Sequence, residues 1–415
     1  MRFPVILIII CYFLLIASDL VIINDLKVMS LYDKFKPKHK KVGIWWKVYS
    51  IFAVLIVALL TVAVCMPKRS AAVGVTPTMW MLYVVITIEI AQCIYSSFSL
   101  IGFIPAIFRR RRWNTGLWVG MPLAVLIFSM MWWGVFIGRN RLSVIEITLE
   151  SDRLPQSFDG YKIAQISDLH VGTWGNDTTF LYKLVEKVNS LSPDLIVFTG
   201  DLVNRESIEL EPFIHTLAAL NAPDGVLTIL GNHDYGDYVS WDTPEDKKNN
   251  LVNLKNQESR MGWELLDNTH KVIYNEKNDS IIIIGVGNWG EPPFTKYGDL
   301  AKAYPKERFG DKNFKILLSH NPEHWNQEVS KISNIDLTLS GHTHAMQFMF
   351  SFGGHRWSPA QYKYKQWSGL YERAGLEGVP SFLYVNIGAG EVGIPMRVGA
   401  TPEITLFTLH RDSDK

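Results

Sequence analysis

Lys162-Ile-Ala-Gln-Ile-Ser-Asp168-Leu-His170 is an apolar, β-prone run that ends in a carboxylate and an imidazole two positions apart. Four further stretches repeat that design. Leu195-Ile-Val-Phe-Thr199 precedes Gly200-Asp201, and Gly225-Val-Leu-Thr-Ile-Leu230 precedes Gly231-Asn232-His233-Asp234. Phe314-Lys-Ile-Leu-Leu318 precedes Ser319-His320, and Ile335-Asp-Leu-Thr-Leu339 leads to Gly341-His342-Thr-His344. Short apolar runs bounded by turn residues read as buried strands. Each polar motif therefore lies just past the end of a strand. In open α/β sheets ligands bind outside the carboxyl ends of the strands, so an α/β fold with its chemistry on one edge is expected.

The residue types at those ends are metal ligands. Two divalent ions about 4 Å apart need one short bridging ligand and two or three further donors each. Asp201 is the natural bridge. Asp168 with His170, and His342 with His344, are chelating arms, because residues two apart at a frayed strand end can turn toward one ion. Asn232 adds an amide oxygen, His233 a ring near the reacting group, and Asp234 a carboxylate to orient that ring. Histidine, carboxylate and amide together suit Mn, Fe, Zn, Co or Ni better than the oxygen shell of Ca or Mg. No cysteine joins the set, which argues against a closed structural zinc site.

In this order the blocks D-x-H, G-D, G-N-H-[DE], H and G-H-x-H resemble the calcineurin-like metallophosphoesterases, in the branch of membrane-associated or exported bacterial phosphoesterases. The resemblance spans about residues 145 to 410. It includes Trp367-Ser-Gly-Leu-Tyr371, Leu383-Tyr-Val-Asn-Ile-Gly388 and Pro395-Met-Arg-Val-Gly399. It implies a two-sheet sandwich flanked by helices. It also implies one metal on Asp168, His170, Asp201 and His344, a second on Asp201, Asn232, His320 and His342, and His233 facing the phosphoryl group. Two departures stand out. Ala345 and Met346 replace the glycines of the branch's G-H-T-H-G-G-Q, which bears on the shape of the substrate floor. Gly285-Val-Gly-Asn-Trp-Gly290 stands where relatives tend to carry an acidic turn.

The expected reaction is attack by a metal-bridging hydroxide, acidified by the summed charge of the ions, in line with the leaving oxygen of a phosphodiester or pyrophosphate. His233 would stabilise the equatorial oxygens and protonate the leaving group, with Asp234, or Asp168 through its second oxygen, setting its tautomer. The resemblance makes the pyrophosphate of a UDP-linked diacylglucosamine one candidate. A broad phosphomonoesterase and a catalytically silent sensor of phospho-ligands are the alternatives. His215, His270 and His324 read as surface residues, and Asp194 as a turn residue. Tyr371, His355 and Arg397 are either pocket or packing residues. The polar stretch from about 236 to 260 reads as a helical insert or flap over the site.

Of the 415 residues, 48% are apolar, and the apolar excess lies at the front. Stretches at about 4–23, 44–66, 78–107 and 117–138 are long enough to cross a bilayer. The chain therefore divides into an all-α transmembrane region, 1–140, and a phosphoesterase domain, 145–412. Lys27, Lys34, Lys36, Lys38, Lys40 and Lys41 fill the first loop and Arg109 to Arg112 the third, whereas the second holds only Lys68 and Arg69. Basic short loops stay in the cytoplasm, so an inner-membrane protein with an extracytoplasmic catalytic domain is expected. Arg2 alone precedes the first span, while Arg139 and Arg141 pull the other way. The three cysteines, Cys11, Cys65 and Cys93, all fall in predicted spans. Glu89, with Gln92 one turn on, is an intramembrane carboxylate with no second ionisable residue expected at depth. A net charge of +1 gives no electrostatic footprint for nucleic acid.

Overall fold

The computed structural model describes residues 5–34, 44–66, 76–108, 110–292, 294–305, 313–332, 334–374 and 380–412. The chain separates into two compact units, with the main break between Val135 and Phe136.

The first unit is helical. Its helices are Val5–Lys34, Trp45–Cys65, Thr76–Ile101 with the short Ile104–Ile107, and Gly116–Gly120 running into Met121–Phe136. Four segments, Ile6–Met29, Trp45–Cys65, Thr76–Ile107 and Gly116–Asn140, are long and apolar enough to cross a membrane. Leu15, Ile56, Leu60 and Val85 form an apolar core among the first three. A Cβ on Gly116 would meet Ser99, and one on Gly120 would meet Phe98 and Tyr95, so these glycines let two backbones approach closely. The basic residues Arg2, Lys36, Lys38, Lys40, Lys41, Lys68, Arg69 and Arg109 lie outside the described residues.

Glu89 is not the lone buried acid of this unit. Asp19 and Asp25 on the first helix are buried too. Asp19 Oδ1 accepts from Tyr49 Oη at 2.7 Å and Gln92 Nε2 at 3.0 Å. Asp25 accepts from Tyr95, Ser99 and Arg112 at 3.0, 2.6 and 2.7 Å. A sequence window averages such residues away, because one or two carboxylates barely lower the hydropathy of a long apolar run.

The second unit holds two six-stranded mixed sheets. Its strands are β1 (Ser143–Ser151), β2 (Tyr161–Ile166), β3 (Leu195–Phe198), β4 (Val226–Thr228), β5 (Trp263–Leu265), β6 (Thr269–Tyr274), β7 (Ser280–Gly285), β8 (Lys315–Leu318), β9 (Leu337–Ser340), β10 (Phe350–Phe352), β11 (His355–Trp357), β12 (Gly369–Ala374), β13 (Pro380–Val385) and β14 (Glu403–Arg411). One sheet runs β1-β14-β2-β3-β4-β5 and the other β12-β13-β9-β8-β7-β6, while β10 and β11 form a separate hairpin. The expected strands before the polar motifs are β2, β3, β4, β8 and β9, and neighbours among them pair in parallel.

Alternation divides each buried strand between two cores. Ile163, Leu195, Val197, Ile281, Ile283, Ile316, Leu318, Leu337 and Leu339 fill the space between the sheets. Ala164, Ile196 and Phe198 face outward under the amphipathic helix Thr179–Ser190, which contributes Leu181, Leu184 and Val188. Ile282, Ile284 and Leu317 form the outer core of the other sheet with Trp325 and Val329. Gln165 Nε2 joins the sheets by donating to the Ser340 carbonyl at 2.9 Å. Parallel strands buried on both faces read as continuous apolar runs, which is why they are visible in the sequence.

Ile283 lies between the sheets with no exposure. Ile283→Ala should destabilise the unit by about 2–5 kcal/mol through lost transfer energy and a residual cavity, lowering the thermal midpoint of the purified full chain. An unchanged midpoint would contradict this packing.

Candidate metal centre

Parallel pairing points the ends of β2, β3 and β4 the same way, and β8 and β9 end likewise in the other sheet, so their loops converge. Asp168, His170, Asp201 and His344 form one cluster, and Asp201, His320 and His342 another, with donor atoms in each within 4.8 Å of one another. Asp201 belongs to both. Its Oδ2 lies 3.5 Å from His170 Nε2 and 3.2 Å from His320 Nε2, while Oδ1 accepts the His233 backbone N–H at 2.8 Å. His344 Nε2 lies 3.1 Å from both Asp168 Oδ1 and His170 Nε2. His342 Nδ1 lies 3.2 Å from His320 Nε2. Thus every sequence-predicted histidine and aspartate of the ligand set is brought together.

The backbone at these positions is unusual. Asp168, His170, Asp201, His342 and His344 have φ of 53°, 43°, 59°, 75° and 50°. Non-glycine residues rarely occupy this left-handed region, and the strain gathers where side chains must be aimed. It continues through Ala345, Met346 and Gln347 at 48°, 46° and 58°. Ala345 and Met346 thus keep a glycine-like backbone while adding side chains. A Cβ on Gly231 would strike Asp201, and one on Gly341 would strike Ser167 and Asp168. Those two glycines are needed for close approach rather than flexibility.

The donor set fits divalent cations. Two buried carboxylates, Asp168 and Asp201, demand positive charge. Burial opposes charging of His320, yet Asp201 and Asp168 hold it up to about 10. His342 instead is pushed down to about 3 by burial and by His320. His320 Nδ1 meets the Thr199 carbonyl at 2.8 Å, which fixes the ring so that Nε2 faces the cluster. The buried Asn232 Oδ1 has no hydrogen-bond partner, although its Nδ2 donates to Tyr238 Oη at 2.9 Å. An orphaned buried acceptor on the loop that also carries His233 is one that a divalent cation would satisfy.

Asp234 does not orient the His233 ring. It accepts the backbone N–H groups of Asp201, Leu202, Val203 and Gly231 at 2.8–3.1 Å, so it holds the β3 and β4 loops together. Asp168 does not take that role either: its carboxylate oxygens meet Ser167, the His342 N–H and His344. The His233 partner is the Asn204 carbonyl, 2.7 Å from Nδ1, a backbone group that no motif encodes. Tyr238 lies over His233 with ring centroids 4.4 Å apart. The expected insert therefore divides: Tyr238 covers the site, and Pro244–Arg260 is a helix capped by Thr243 and Asp246.

His324 is fully buried, between Ser319 Oγ at 2.8 Å and Glu328 Oε2 at 3.3 Å, and stacked on Trp289. The expectation of a surface position fails because the turn after Pro322 packs inward. His215 is exposed, and His270 Nδ1 meets the Ala303 carbonyl. Asp194 accepts the Lys162 N–H. Arg397 is buried, donates to the carbonyls of Gly390, Ala400 and Ile387, and reaches His344 Nδ1 at 3.3 Å. Tyr371 Oη accepts the Trp367 N–H, whereas His355 is exposed on β11. Tyr364 Oη, 3.1 Å from His342 Nε2, was not foreseen.

A model of the calcineurin-like phosphoesterase family matches residues 161–346. The metallophosphoesterase YkuE of Bacillus subtilis (strain 168) is 31% identical over 280 residues, covering 66% of this chain and 87% of that protein. UDP-2,3-diacylglucosamine pyrophosphatase LpxG of Chlamydia trachomatis is 31% identical over 331 residues, covering 68% and 94%. A transmembrane protein with metallophosphoesterase domain from Danio rerio is 28% identical over 296 residues, covering 69% and 62%. The chain belongs to the calcineurin-like phosphoesterase family. It is a metal-dependent phosphoric ester hydrolase.

Asp234→Asn would turn an amide N–H₂ toward backbone donors. It should cost on the order of 3 kcal/mol and lower the metal content without touching His233, since hydrogen bonds to charged acceptors are worth roughly 1.5–3 kcal/mol each. Metal analysis with thermal melting reads both effects.

Glu391, beside the Asp168 loop, is fully buried. Burial pushes its carboxyl up to about 7, although Arg139 at 3.4 Å and Arg397 pull it down. A folded value above the unfolded one lends stability that is complete at low pH and lost as pH rises through the folded value. Glu391→Gln, neutral throughout, should therefore gain on the order of 1–3 kcal/mol over the wild type between about pH 5 and pH 8. Parallel melting curves that do not diverge with pH would contradict it.

Proposed function

We propose that the chain is a membrane-anchored dimetal phosphohydrolase that cleaves a phosphodiester or pyrophosphate in a lipid or cell-envelope molecule. The observation that carries this reading is Asp201 Oδ2 lying between histidines of two donor clusters. Asp168, His170, Asp201 and His344 would hold one ion, and Asp201, Asn232, His320 and His342 the other. Mn, Fe, Zn, Co and Ni suit these donors. When bound, such ions supply Lewis acidity and make water a nucleophile near neutral pH.

The chain's own residues would do the rest. The His233 ring is fixed by the Asn204 carbonyl at Nδ1, which leaves Nε2 to exchange a proton with a phosphoryl oxygen or the leaving group. Burial lowers the pKa of His233 and Asp201 opposes that. An anionic phosphoester beside the ring would counter that lowering, readying it to donate when substrate is present. Asp234 would act as a positioning residue through the loop amides it gathers.

Four helices able to cross a bilayer, together with a transmembrane relative, support a membrane protein. In our reading residues 1–140 are the membrane region and 145–412 the catalytic domain, placed on the extracytoplasmic face of the inner membrane by the basic loops. The name of the LpxG relative supports a lipid-linked pyrophosphate among the substrate classes.

Metal content and turnover on an aryl phosphodiester, an aryl phosphomonoester and a lipid pyrophosphate test this reading. The wild type should hold about two ions per chain and cleave at least one class. His233→Ala should keep its metals and lose about 10²–10⁴-fold in turnover, the usual worth of a general acid. Asp201→Ala should lose metal and turnover together. Bound metals without cleavage of any class would make the protein a sensor instead.

A further inference from the structure

The geometry points to the β10–β11 hairpin as an element that docks on an anionic lipid bilayer surface beside the metal centre. Every residue of both strands is exposed; Phe350 and Trp357 touch Phe348 and Arg356 reaches Ser368, so the ribbon is anchored at its base and open toward the Phe352 tip. An isolated hairpin is marginally stable at best in water, and its aromatic content makes the exposure more costly. Phe350 pairs across the ribbon with Trp357, and their rings stack at 6.3 Å. Phe352, at the Gly353–Gly354 turn, is 90% exposed and is the outermost apolar group of the ribbon, and Tyr362 just beyond it is 79% exposed.

Charge chooses the occupant. Between Asp336 and Glu372 the sequence has no acidic residue, while Arg356, Lys363 and Lys365 lie exposed on or beside the hairpin. Aromatic rings settle at the membrane interface, and lysine and arginine are drawn to anionic headgroups, so this composition matches a lipid surface. The chain also brings its own bilayer, which rests on the membrane reading proposed above.

Position gives the docking a purpose. The hairpin follows His344 by six residues, and the chain returns through Tyr364, whose hydroxyl touches His342. A ribbon resting among lipid headgroups would place the two donor clusters beside phosphoesters held at that surface. Met346, 39% exposed between His344 and the hairpin, continues the apolar strip back to the centre.

The test uses the full chain with Cys11, Cys65 and Cys93 replaced by serine, carrying Phe352→Cys labelled with a polarity-sensitive fluorophore. Tyr274→Cys is the control: it is half exposed, and it pairs with Ser280 at the start of β7, the sheet end away from the metal centre. The proteins are reconstituted into phosphatidylcholine vesicles with and without phosphatidylglycerol. The expected result is that iodide quenching at 352 is about threefold weaker than at 274, and that shallow spin-labelled lipid quenches 352 selectively, more strongly with phosphatidylglycerol. Lys363→Glu with Lys365→Glu should abolish the phosphatidylglycerol effect. A label at 352 open to iodide, or shielded from iodide yet untouched by spin-labelled lipid, overturns the proposal, the second result indicating a protein contact. Because no turnover is measured, a failure here is separable from a failure of the hydrolase reading.

Discussion

Asp201 has one carboxylate and two sets of neighbours, and the rest of the second unit is organised so that both sets reach it. His170 comes from the end of β2 in one sheet, and His320 from the end of β8 in the other. Their meeting requires the two sheets to be held face to face with their strand ends aligned. The isoleucine, leucine and valine core between the sheets supplies that constraint, and Gln165 fixes it by hydrogen-bonding across to the Ser340 carbonyl. A shift between sheets by one residue repeat, about 3.3 Å, would separate these donors.

Concentrated charge is the second constraint. Asp168 and Asp201 are buried among histidines, and three of those histidines are aimed by groups outside the two clusters. The Thr199 carbonyl meets His320, Tyr364 meets His342, and Arg397 reaches His344. Asp234 gathers amides from two loops, so the carboxylate nearest in sequence to His233 is spent on backbone geometry. The left-handed backbone of five of these residues is tolerated because the surrounding hydrogen bonds over-determine it.

The helical unit obeys the same rule. Asp19 and Asp25 are buried in segments that are otherwise apolar, and each accepts hydrogen bonds from partners on other parts of the unit. Buried polar groups must be satisfied by neighbouring helices, which ties the first helix to the second and third. That pattern makes the unit a packed bundle rather than a set of independent spans.

The sequence by itself determined the strand runs, the ligand types and the four apolar segments. Each of these depends on residues close together along the chain: an apolar run, a carboxylate two positions from a histidine, a stretch long enough for a bilayer. The six clustered histidines and aspartates were legible because each motif follows its own strand, and parallel strands deliver their ends to one edge. What tertiary structure decided is every contact made by a backbone group or by an ordinary aromatic residue. Nothing local distinguishes the Asn204 carbonyl that holds His233, the Tyr364 hydroxyl at His342, the buried setting of His324, or the partners of Asp19. Such groups occur throughout any chain, and only the packing of distant segments selects which of them face a site.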